Sequence, residues 1–349
     1  MTNNNLAGIA CDKRYLDHRI SHQSLECPQR LHRIYTQLRH GKYDQGVKKI
    51  EPRLASDEEI FAVHSEFYIE QIESHSLDAN PYSYDKDTYL MEDSLYVAKL
   101  AAGGCVVLAG AIMNDDIGRG FSLVRPPGHH AESGRGMGFC ILNNVAITAE
   151  YLSRVYGLNR ILILDFDVHH PNGTQEIFYE TDRVMLVSFH QGNLFPFTGK
   201  PSETGKNVGS GYTVNVPVLP QYGDLEYSHL MGRVVQPIIE HYFPQIILVS
   251  MGFDGHIEDS VSDTCLTTEA YSSIANTMKY FANEFCHGRL LYVLEGGYNP
   301  RALGDSVFAS LDTLINPNVN RPSFRYSTRA ASLINDQLPD YIKGKWGIA

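Results

Sequence analysis

Short, almost continuously apolar runs recur along the 349-residue chain, with longer and partly polar segments between them. The runs lie at residues 6–10, 121–124, 161–165, 184–189, 212–216, 246–250 and 290–294. Segments with helical periodicity lie at residues 95–113, 143–156, 225–242, 268–285 and 300–314. Strands that alternate with helices predict an α/β protein with a central, mostly parallel sheet and helices on both faces.

Two of the runs, RILILDF and QIILVSM, lack the alternating polar positions of a half-exposed strand. A parallel strand that is buried on both faces has no polar side to show, so these runs predict central strands. No Pro/Ser-rich linker, internal repeat or low-complexity tract interrupts the pattern. We therefore predict a single domain over residues 1–349.

The charge balance narrows the choice of partners. The chain has 29 basic and 40 acidic residues, for a formal charge of −11. This charge opposes non-specific binding to nucleic acid or to an anionic membrane and favours cationic partners. An acidic run could attract such a partner or could be a solvated loop; its members are Asp85, Asp87, Glu92 and Asp93.

Cysteine usage and the N-terminus indicate a cellular compartment. The six cysteines are scattered, without a CxxC pair or zinc-finger spacing, which is typical of reduced thiols. The N-terminal stretch MTNNNLAGIACDKR lacks the pattern of a secretory signal, and no uninterrupted apolar run reaches membrane-spanning length. We expect a cytoplasmic protein that does not span a membrane.

Polar motifs directly follow five of the apolar runs. They are RPPGHH at 125–130, DFDVHH at 165–170, SFHQGN at 188–193, SMGFDGH at 250–256 and LEGGY at 294–298. The carboxyl ends of parallel strands meet at one edge of a sheet, where ligands bind in open α/β folds. The five motifs therefore predict a shared cleft.

The residue types in two of these motifs suit a metal ion. In DFDVHH, a period of two places Asp167 and His169 on the same side of the extended chain. Such a pair alone is more often a cap or a loop feature, but Asp254 follows another predicted central strand. Two carboxylates and one imidazole leave a position open for water, as in catalytic zinc sites, and suit Zn²⁺ or Fe²⁺.

The remaining motifs supply acid–base groups and a phenol. His129 and His130 could act as bases, tuned differently by a charged partner, Asp165, and a neutral one, Asn172. Tyr298 could donate a hydrogen bond to a carbonyl oxygen as negative charge develops there. Without the metal set, the two imidazoles would be interpreted as loop residues and Tyr298 as a packing residue.

The motifs resemble those of the histone deacetylase superfamily in order and spacing. The resemblance rests on RPPGHHAESGRGMGFCILNN, ILDFDVHHPNGTQEIF, SMGFDGH and LEGGY, and details such as GFD and LEGGY are similar to class II and bacterial deacetylases. It implies the arginase–deacetylase fold and a zinc-dependent deacetylase domain, with zinc held by Asp167, His169 and Asp254. It also implies that His130 is the general base and then acid, that His129 orients and polarises, and that Tyr298 stabilises the oxyanion.

The resemblance extends to groups around this centre. It implies a structural monovalent cation, K⁺, near Asp165 and Ser188. It also implies a substrate tunnel, formed by Gly138, Phe139 and Phe195 with Val261 on the rim. Arg30 resembles an arginine of the family's acetate channel, although a surface helix arginine is an equal alternative. Two departures are Pro171 in place of glycine and the missing proline in DSVS at 259–262.

These observations lead to a hypothesis and its rivals. We expect hydrolysis of an Nε-acyl-lysine amide in a protein or peptide. Hydrolysis of an acetylated polyamine is the nearest alternative: the acidic charge favours it, but the long early insertion of polyamine enzymes is missing. A catalytically silent acyl-lysine-binding module is a rival of another class, and an arginase-like two-metal hydrolase lacks its second aspartate set. The sequence predicts no oligomeric state.

Overall fold

A computed structural model describes residues 6–19, 24–39, 43, 46–76 and 82–349. Its central sheet has eight strands, all paired in parallel. These strands are β1 (Ala7–Ala10), β2 (Val47–Lys49), β5 (Arg119–Ser122), β6 (Ile161–Asp165), β7 (Val184–Gln191), β8 (Thr213–Val218), β9 (Ile246–Met251) and β10 (Leu290–Leu294). A small antiparallel hairpin consists of β3 (Tyr82–Ser83) and β4 (Tyr89–Leu90). The predicted parallel sheet is confirmed.

The strand order places the last strand near the middle of the sheet. The order is β2-β1-β5-β10-β9-β6-β7-β8, so β10 lies between β5 and β9. Every residue of β5, β6, β9 and β10 is buried. Burial of both faces explains the near-continuous apolarity of RILILDF and QIILVSM.

Twelve α-helices surround the sheet in the described part of the chain. They are α1 (Gln29–Leu38), α2 (Asp57–Phe61), α3 (Glu66–Ser76), α4 (Ser94–Met113), α5 (Asn144–Tyr156), α6 (Asn172–Phe178), α7 (Asp224–Leu230), α8 (Gln236–Tyr242), α9 (Thr268–Phe285), α10 (Pro300–Ile315), α11 (Thr328–Gln337) and α12 (Asp340–Trp346). α4 packs against α5 and β5, and α9 packs against α10 and β10.

One of these helices, α4, is long and apolar enough to cross a membrane by length and composition. However, 78% of its apolar window is buried inside the protein. It lies against α5, β1 and β5. Its apolarity is therefore that of a helix in the hydrophobic core.

The segment 225–242, predicted as one helix, is divided in the structure. A π-helical turn, Met231–Val235, separates α7 from α8. The N–H of Gln236 donates to the carbonyl of Met231, five residues earlier, immediately before Pro237. Pro237 has no backbone N–H and so cannot form the regular helical hydrogen bond to the residue four positions earlier. The π-helical turn lies where this hydrogen bond is missing.

The C-terminal helices close the molecule beside β8. α12 packs against α8, and the indole N–H of Trp346 donates to the carbonyl of Gly211 at 2.7 Å. The indole ring lies edge-on against the rings of Tyr212 and Tyr242. A buried aromatic residue thus fixes the last helix to the start of an edge strand.

Candidate active site

The three predicted metal ligands meet at the carboxyl ends of two neighbouring strands. Asp167 and His169 follow β6, and Asp254 follows β9, which pairs with β6. Their ligand atoms all lie within 4.8 Å of one another. His169 Nδ1 lies 2.9 Å from Asp167 Oδ1 and 3.1 Å from Asp254 Oδ2. Adjacent strands therefore bring the DxH pair and the distant aspartate to one point.

The polar environment of these residues fits a divalent cation. The backbone N–H groups of Gly296 and Val168 donate to Asp167 Oδ2 and Asp254 Oδ1, at 2.8 and 3.0 Å. Asp254 Oδ2 is buried without a well-aligned hydrogen bond. Burial lowers the pKa of His169, but the neighbouring carboxylates of Asp167 and Asp254 outweigh this and raise it to about 10. Two buried carboxylates around one imidazole thus favour a positive charge, which Zn²⁺ or Fe²⁺ would supply.

Two glycines let the backbone approach the ligand carboxylates. A Cβ atom on Gly296 would lie 2.2 Å from Asp254 Oδ2 and 2.5 Å from Asp167 Oδ2. A Cβ atom on Gly252 would lie 2.3 Å from Asp167 Oδ2. All three distances are far below van der Waals contact, so a side chain at either glycine would displace one or both carboxylates.

The two adjacent histidines have different partners. His129 Nδ1 lies 3.2 Å from Asp165 Oδ2, whereas His130 Nδ1 lies 2.8 Å from the amide oxygen of Asn172. Burial lowers the pKa of His129, but Asp167 and Asp165 raise it to about 10. Burial, with His129 and His169 nearby, holds the pKa of His130 well below its usual value. A neutral His130 donates from Nδ1 to Asn172 and keeps Nε2 free to accept a proton.

A buried glutamate that the sequence reasoning missed anchors this pair. Glu295 Oε2 accepts the N–H groups of Gly128 and His129, at 2.7 and 3.1 Å. Glu295 also forms a buried cluster with His129 and Cys140. Burial raises the pKa of the Cys140 thiol, which disfavours a thiolate ligand there. A glutamate at the end of an apolar run was the available signal, because a buried carboxylate needs partners.

The tyrosine of LEGGY lies between aromatic and cationic neighbours. The ring of Tyr298 lies 5.6 Å from that of Phe139, and the guanidinium of Arg30 lies 5.0 Å from the Tyr298 ring centre. Arg30 is fully buried in α1 and donates to the carbonyls of Gly297 and Glu295. The surface-arginine interpretation of Arg30 is therefore wrong, because its charge is used inside the protein; its channel role stays a prediction.

The charge of Arg30 is balanced by a network. Arg30 and Arg125 both bind Glu26, at 3.0 and 2.6 Å, and all three side chains are buried. Burial raises the pKa of Glu26, but Arg125 and Arg30 outweigh this and lower it to about 2. Two guanidinium groups on one carboxylate leave a net positive charge beneath the loop that carries Tyr298.

Aromatic residues flank the histidines where the resemblance implies a tunnel. The ring of Phe195 packs edge-on against His130, with 5.2 Å between centroids. Gly138 has φ +54°, and a Cβ atom there would lie 2.6 Å from His130 and 2.8 Å from Phe195. The Gly138 N–H donates to Asp85, so at least this member of the acidic run supports the site. Val261 is half-buried in the loop after Asp254.

The remaining predicted residues lie beside this centre. Asp165 and Ser188 are register partners on β6 and β7. The Ser188 hydroxyl lies 2.8 Å from Nδ1 of His190, whose Nε2 lies 3.0 Å from the carbonyl of Gly199. Pro171, the departure in HHPNG, precedes α6 with φ −79°, a value that proline adopts readily.

Comparisons with known proteins agree with this geometry. Residues 24–314 match the histone deacetylase domain. Over 296 residues the chain is 40% identical to a probable deacetylase of Archaeoglobus fulgidus, an alignment that covers 84% of this chain and 82% of that protein. The chain belongs to the histone deacetylase family.

Family membership extends to the fold and to the general reaction. The crystal structure of the HDA15 HD domain matches with a TM-score of 0.89 and 33% identity, over 98% of this chain and 95% of that chain. This likeness agrees with the predicted arginase–deacetylase α/β fold. As a relative of deacetylases, this histone deacetylase family member is a hydrolase.

The relatives differ in their named substrates and in length. A polyamine deacetylase, HDAC10, of Danio rerio is 35% identical over 304 residues, which is 83% of this chain and 44% of that protein. The chain spans from 32% to 64% of the nematode and plant histone deacetylases that it matches. Family membership alone therefore does not assign a substrate.

Proposed function

We propose that this protein removes acyl groups from the Nε atom of lysine in a protein or peptide, with Zn²⁺ at Asp167, His169 and Asp254. Fe²⁺ is the other ion that suits this donor set. The observation that carries the proposal is His130, a neutral imidazole with Nδ1 bound to Asn172, directly beside the three ligand residues. An acid–base group next to a cation site is the arrangement that amide hydrolysis requires.

The side chains divide the reaction between them. The bound ion would polarise the acyl carbonyl and acidify a water molecule. His130 Nε2 accepts the proton of the attacking water and later delivers it to the leaving amine. His129, paired with Asp165, orients and polarises the reacting groups beside it. The Tyr298 hydroxyl donates to the carbonyl oxygen as it becomes an anion.

The walls of the site support an extended acyl-lysine side chain. Phe139 and Phe195 would flank its methylene groups, and the Gly138 carbonyl would accept the amide N–H. Val261, the residue that the resemblance implies at the rim, is apolar and carries no carboxylate. An apolar rim favours the peptide backbone of an acyl-lysine over the free ammonium groups of a polyamine.

Hydrolysis of an acetylated polyamine is the second candidate. The formal charge of −11 favours a polycationic substrate, and one relative is named as a polyamine deacetylase. Hydrolysis of an acetylated polyamine would use the same catalytic groups as hydrolysis of an acyl-lysine. The two candidate functions therefore differ only in which substrate the protein prefers.

We also propose that Asp165 and Ser188 help to hold a structural monovalent cation, K⁺. The two residues are neighbours in the sheet, and both are fully buried. His190 donates to Gly199, so its Nδ1 accepts from the Ser188 hydroxyl and leaves the Ser188 lone pairs available. Oxygen donors of this kind suit a hard cation.

A substrate panel with the purified protein tests the function. We expect turnover of an acetyl-lysine peptide to exceed that of acetylspermidine, to disappear with a chelator and to return with Zn²⁺. Tyr298→Phe should lower turnover by about 10²–10³-fold, the usual effect of one lost oxyanion donor. Faster turnover of acetylspermidine would favour the second candidate. Zinc binding without hydrolysis of any acyl amide would favour a binding module.

A further inference from the structure

A buried carboxylate outside the predicted site holds the backbone of the catalytic tyrosine. Asp259 is 6% exposed and lies in the loop that follows Asp254. Its Oδ2 accepts the N–H groups of Tyr298 and Asn299, at 2.6 and 2.9 Å. Its Oδ1 lies 3.4 Å from the N–H of Val261. One side chain therefore contacts both the tyrosine loop and the rim residue.

The loop that carries Tyr298 has little conformational restriction of its own. Two glycines precede Tyr298, and Gly297 has φ +119°, a value that other residues rarely adopt. Arg30 holds this loop from one side, through the carbonyls of Glu295 and Gly297. Asp259 holds it from the other side, through the two amides that follow. The position of the Tyr298 ring thus depends on contacts from outside its own segment.

We propose that Asp259 is a positioning residue, which holds the Tyr298 hydroxyl where the oxyanion of the deacylation reaction forms. The proposal rests on the function proposed above. Because Asp259 also contacts Val261, it links the rim to the tyrosine loop. The Nδ2 group of Asn299 donates to the carbonyl of Glu258 at 2.8 Å, which adds a second connection between the same two segments.

The first measurement is the kinetics of Asp259→Ala. Misplacement of a reacting group by about 1 Å costs up to about 10²-fold in rate, so we expect kcat to fall by about 10–100-fold. KM should stay within about threefold, because the proposed walls, Phe139 and Phe195, stay in place and Asp259 reaches Val261 only through one long contact to its backbone N–H.

A double-mutant cycle with Tyr298→Phe identifies the route of the effect. If Asp259 acts through the phenol, Asp259→Ala should cost less than about threefold in kcat once the hydroxyl is gone. A general structural defect would lower kcat by the same factor in both backgrounds. Equal losses in the two backgrounds would overturn the proposal.

Asp259→Asn separates geometry from charge. Asparagine keeps a side-chain oxygen that can accept an N–H, but it removes the negative charge near Asp254. We therefore expect Asp259→Asn to recover part of the kcat lost in Asp259→Ala. An equal loss in the two variants would show that charge alone matters, and would contradict a positioning role.

Amide hydrogen exchange gives a readout that does not need activity. In Asp259→Ala, exchange should accelerate at Tyr298 and Asn299. The matched control is Asp224→Ala, since Asp224 accepts the N–H of Thr267 at 3.0 Å; it should leave exchange at 298–299 unchanged. Unchanged amide exchange at Tyr298 and Asn299 in Asp259→Ala would overturn the positioning role of Asp259, whether or not the protein hydrolyses an acyl amide. Absence of hydrolysis would refute the proposed function and leave the exchange result to be judged by itself.

Discussion

At the residue scale, the carboxylates of Asp167 and Asp254, which we propose as metal ligands, are packed against backbone that carries no side chain. Gly296 both donates its N–H to Asp167 and leaves the space in which the oxygens of Asp167 and Asp254 lie. The requirement is steric, because φ at this position is not in the left-handed region. A methyl group at this point would test the metal site without removing any ligand.

Gly296→Ala should weaken metal binding. Its Cβ atom would lie 2.2 Å from Asp254 Oδ2, so the ligand must move. We expect zinc affinity to fall by about 10–100-fold, the range observed when a supporting residue of a metal ligand is changed. Titration of the apoprotein against a competing chelator measures this. Gly134→Ala is the control, because no heavy atom lies within 4 Å of its Cβ position. Equal zinc affinity in Gly296→Ala and Gly134→Ala would show that zinc does not bind at Asp167, His169 and Asp254.

The sequence revealed those site residues whose chemistry has a local signature. Asp167, His169 and Asp254 each follow an apolar run, and parallel strands meet at one edge, so their proximity was predictable. Asp259 and Glu295 bind backbone N–H groups of distant segments. Every residue except proline has such a group, so a carboxylate at the end of an apolar run, as at Glu295, indicates that partners exist but not which ones. Their functions became visible only with the contacts.

At the scale of elements, a buried histidine joins the start of a helix to the loop before it. His64 Nδ1 lies 2.9 Å from the carbonyl of Glu132, and His64 Nε2 accepts the N–H of Asn143 at 2.9 Å. Asn143 caps α5 through its own side chain. Both bonds require neutral His64 with its proton on Nδ1. Burial accordingly lowers the pKa of His64 to about 4.

This contact predicts acid sensitivity. Unfolded His64 would titrate near 6.5, above its folded pKa of about 4, so the unfolded state binds more protons as pH falls. Above pH 6.5 the neutral form of His64 contributes fully to the free energy of unfolding, and this contribution is lost as pH falls towards 4. Between pH 7.5 and pH 5 the free energy of unfolding should fall by about 2 kcal/mol on account of His64. The free energy of unfolding of His64→Gln should therefore fall less steeply over this range.

Urea unfolding at several pH values, compared between variants, measures this difference. Glutamine can still accept from Asn143 and donate to Glu132, but it does not titrate. His241→Gln, at an exposed position, is the control for the replacement of a histidine by glutamine. A slope for His64→Gln as steep as that of the wild type would contradict the role of His64.

Elements were predictable where burial imposes a pattern. β6, β9 and β10 are almost entirely apolar, and each agrees with its predicted run to within one residue. β5, with the sequence RGFS, begins two residues before the run predicted at 121–124, because burial of an arginine and a glycine gives no apolar signal. β2, with the sequence VKK, is partly exposed, so its residues carry no apolar signal. The strands of the β3–β4 hairpin have two residues each, too few for any periodicity. The buried apolar positions of residues 225–242 keep spacings of three and four residues through the π-helical turn, so the periodicity of the sequence did not reveal the turn.

At the scale of the whole molecule, the C-terminal helices lie outside the matched domain and still belong to the packed structure. The histone deacetylase match ends at residue 314, whereas α11 and α12 follow it. Trp346 is 5% exposed and packs beside β8. Stability should therefore depend on a segment that contributes no residue to the candidate site.

Trp346→Ala should separate stability from activity. Loss of a buried tryptophan typically costs about 3–5 kcal/mol, so the unfolding temperature should fall markedly. The kcat of the folded fraction at low temperature should stay near that of the wild type. Tyr326→Ala removes an aromatic ring that is 67% exposed and should cost less than about 1 kcal/mol. Equal thermal shifts in the two variants would refute the anchoring role of Trp346.

The place of β10 in the sheet also has a consequence for synthesis of the chain. The strands β2-β1-β5 come from residues 7–122 and β9-β6-β7-β8 from residues 161–251, and only β10 pairs with both groups. Until residue 294 has left the ribosome, each half-sheet exposes an unpaired strand edge. Glu295 and Tyr298 emerge directly afterwards. A nascent chain thus completes its candidate active site only when its two half-sheets can join.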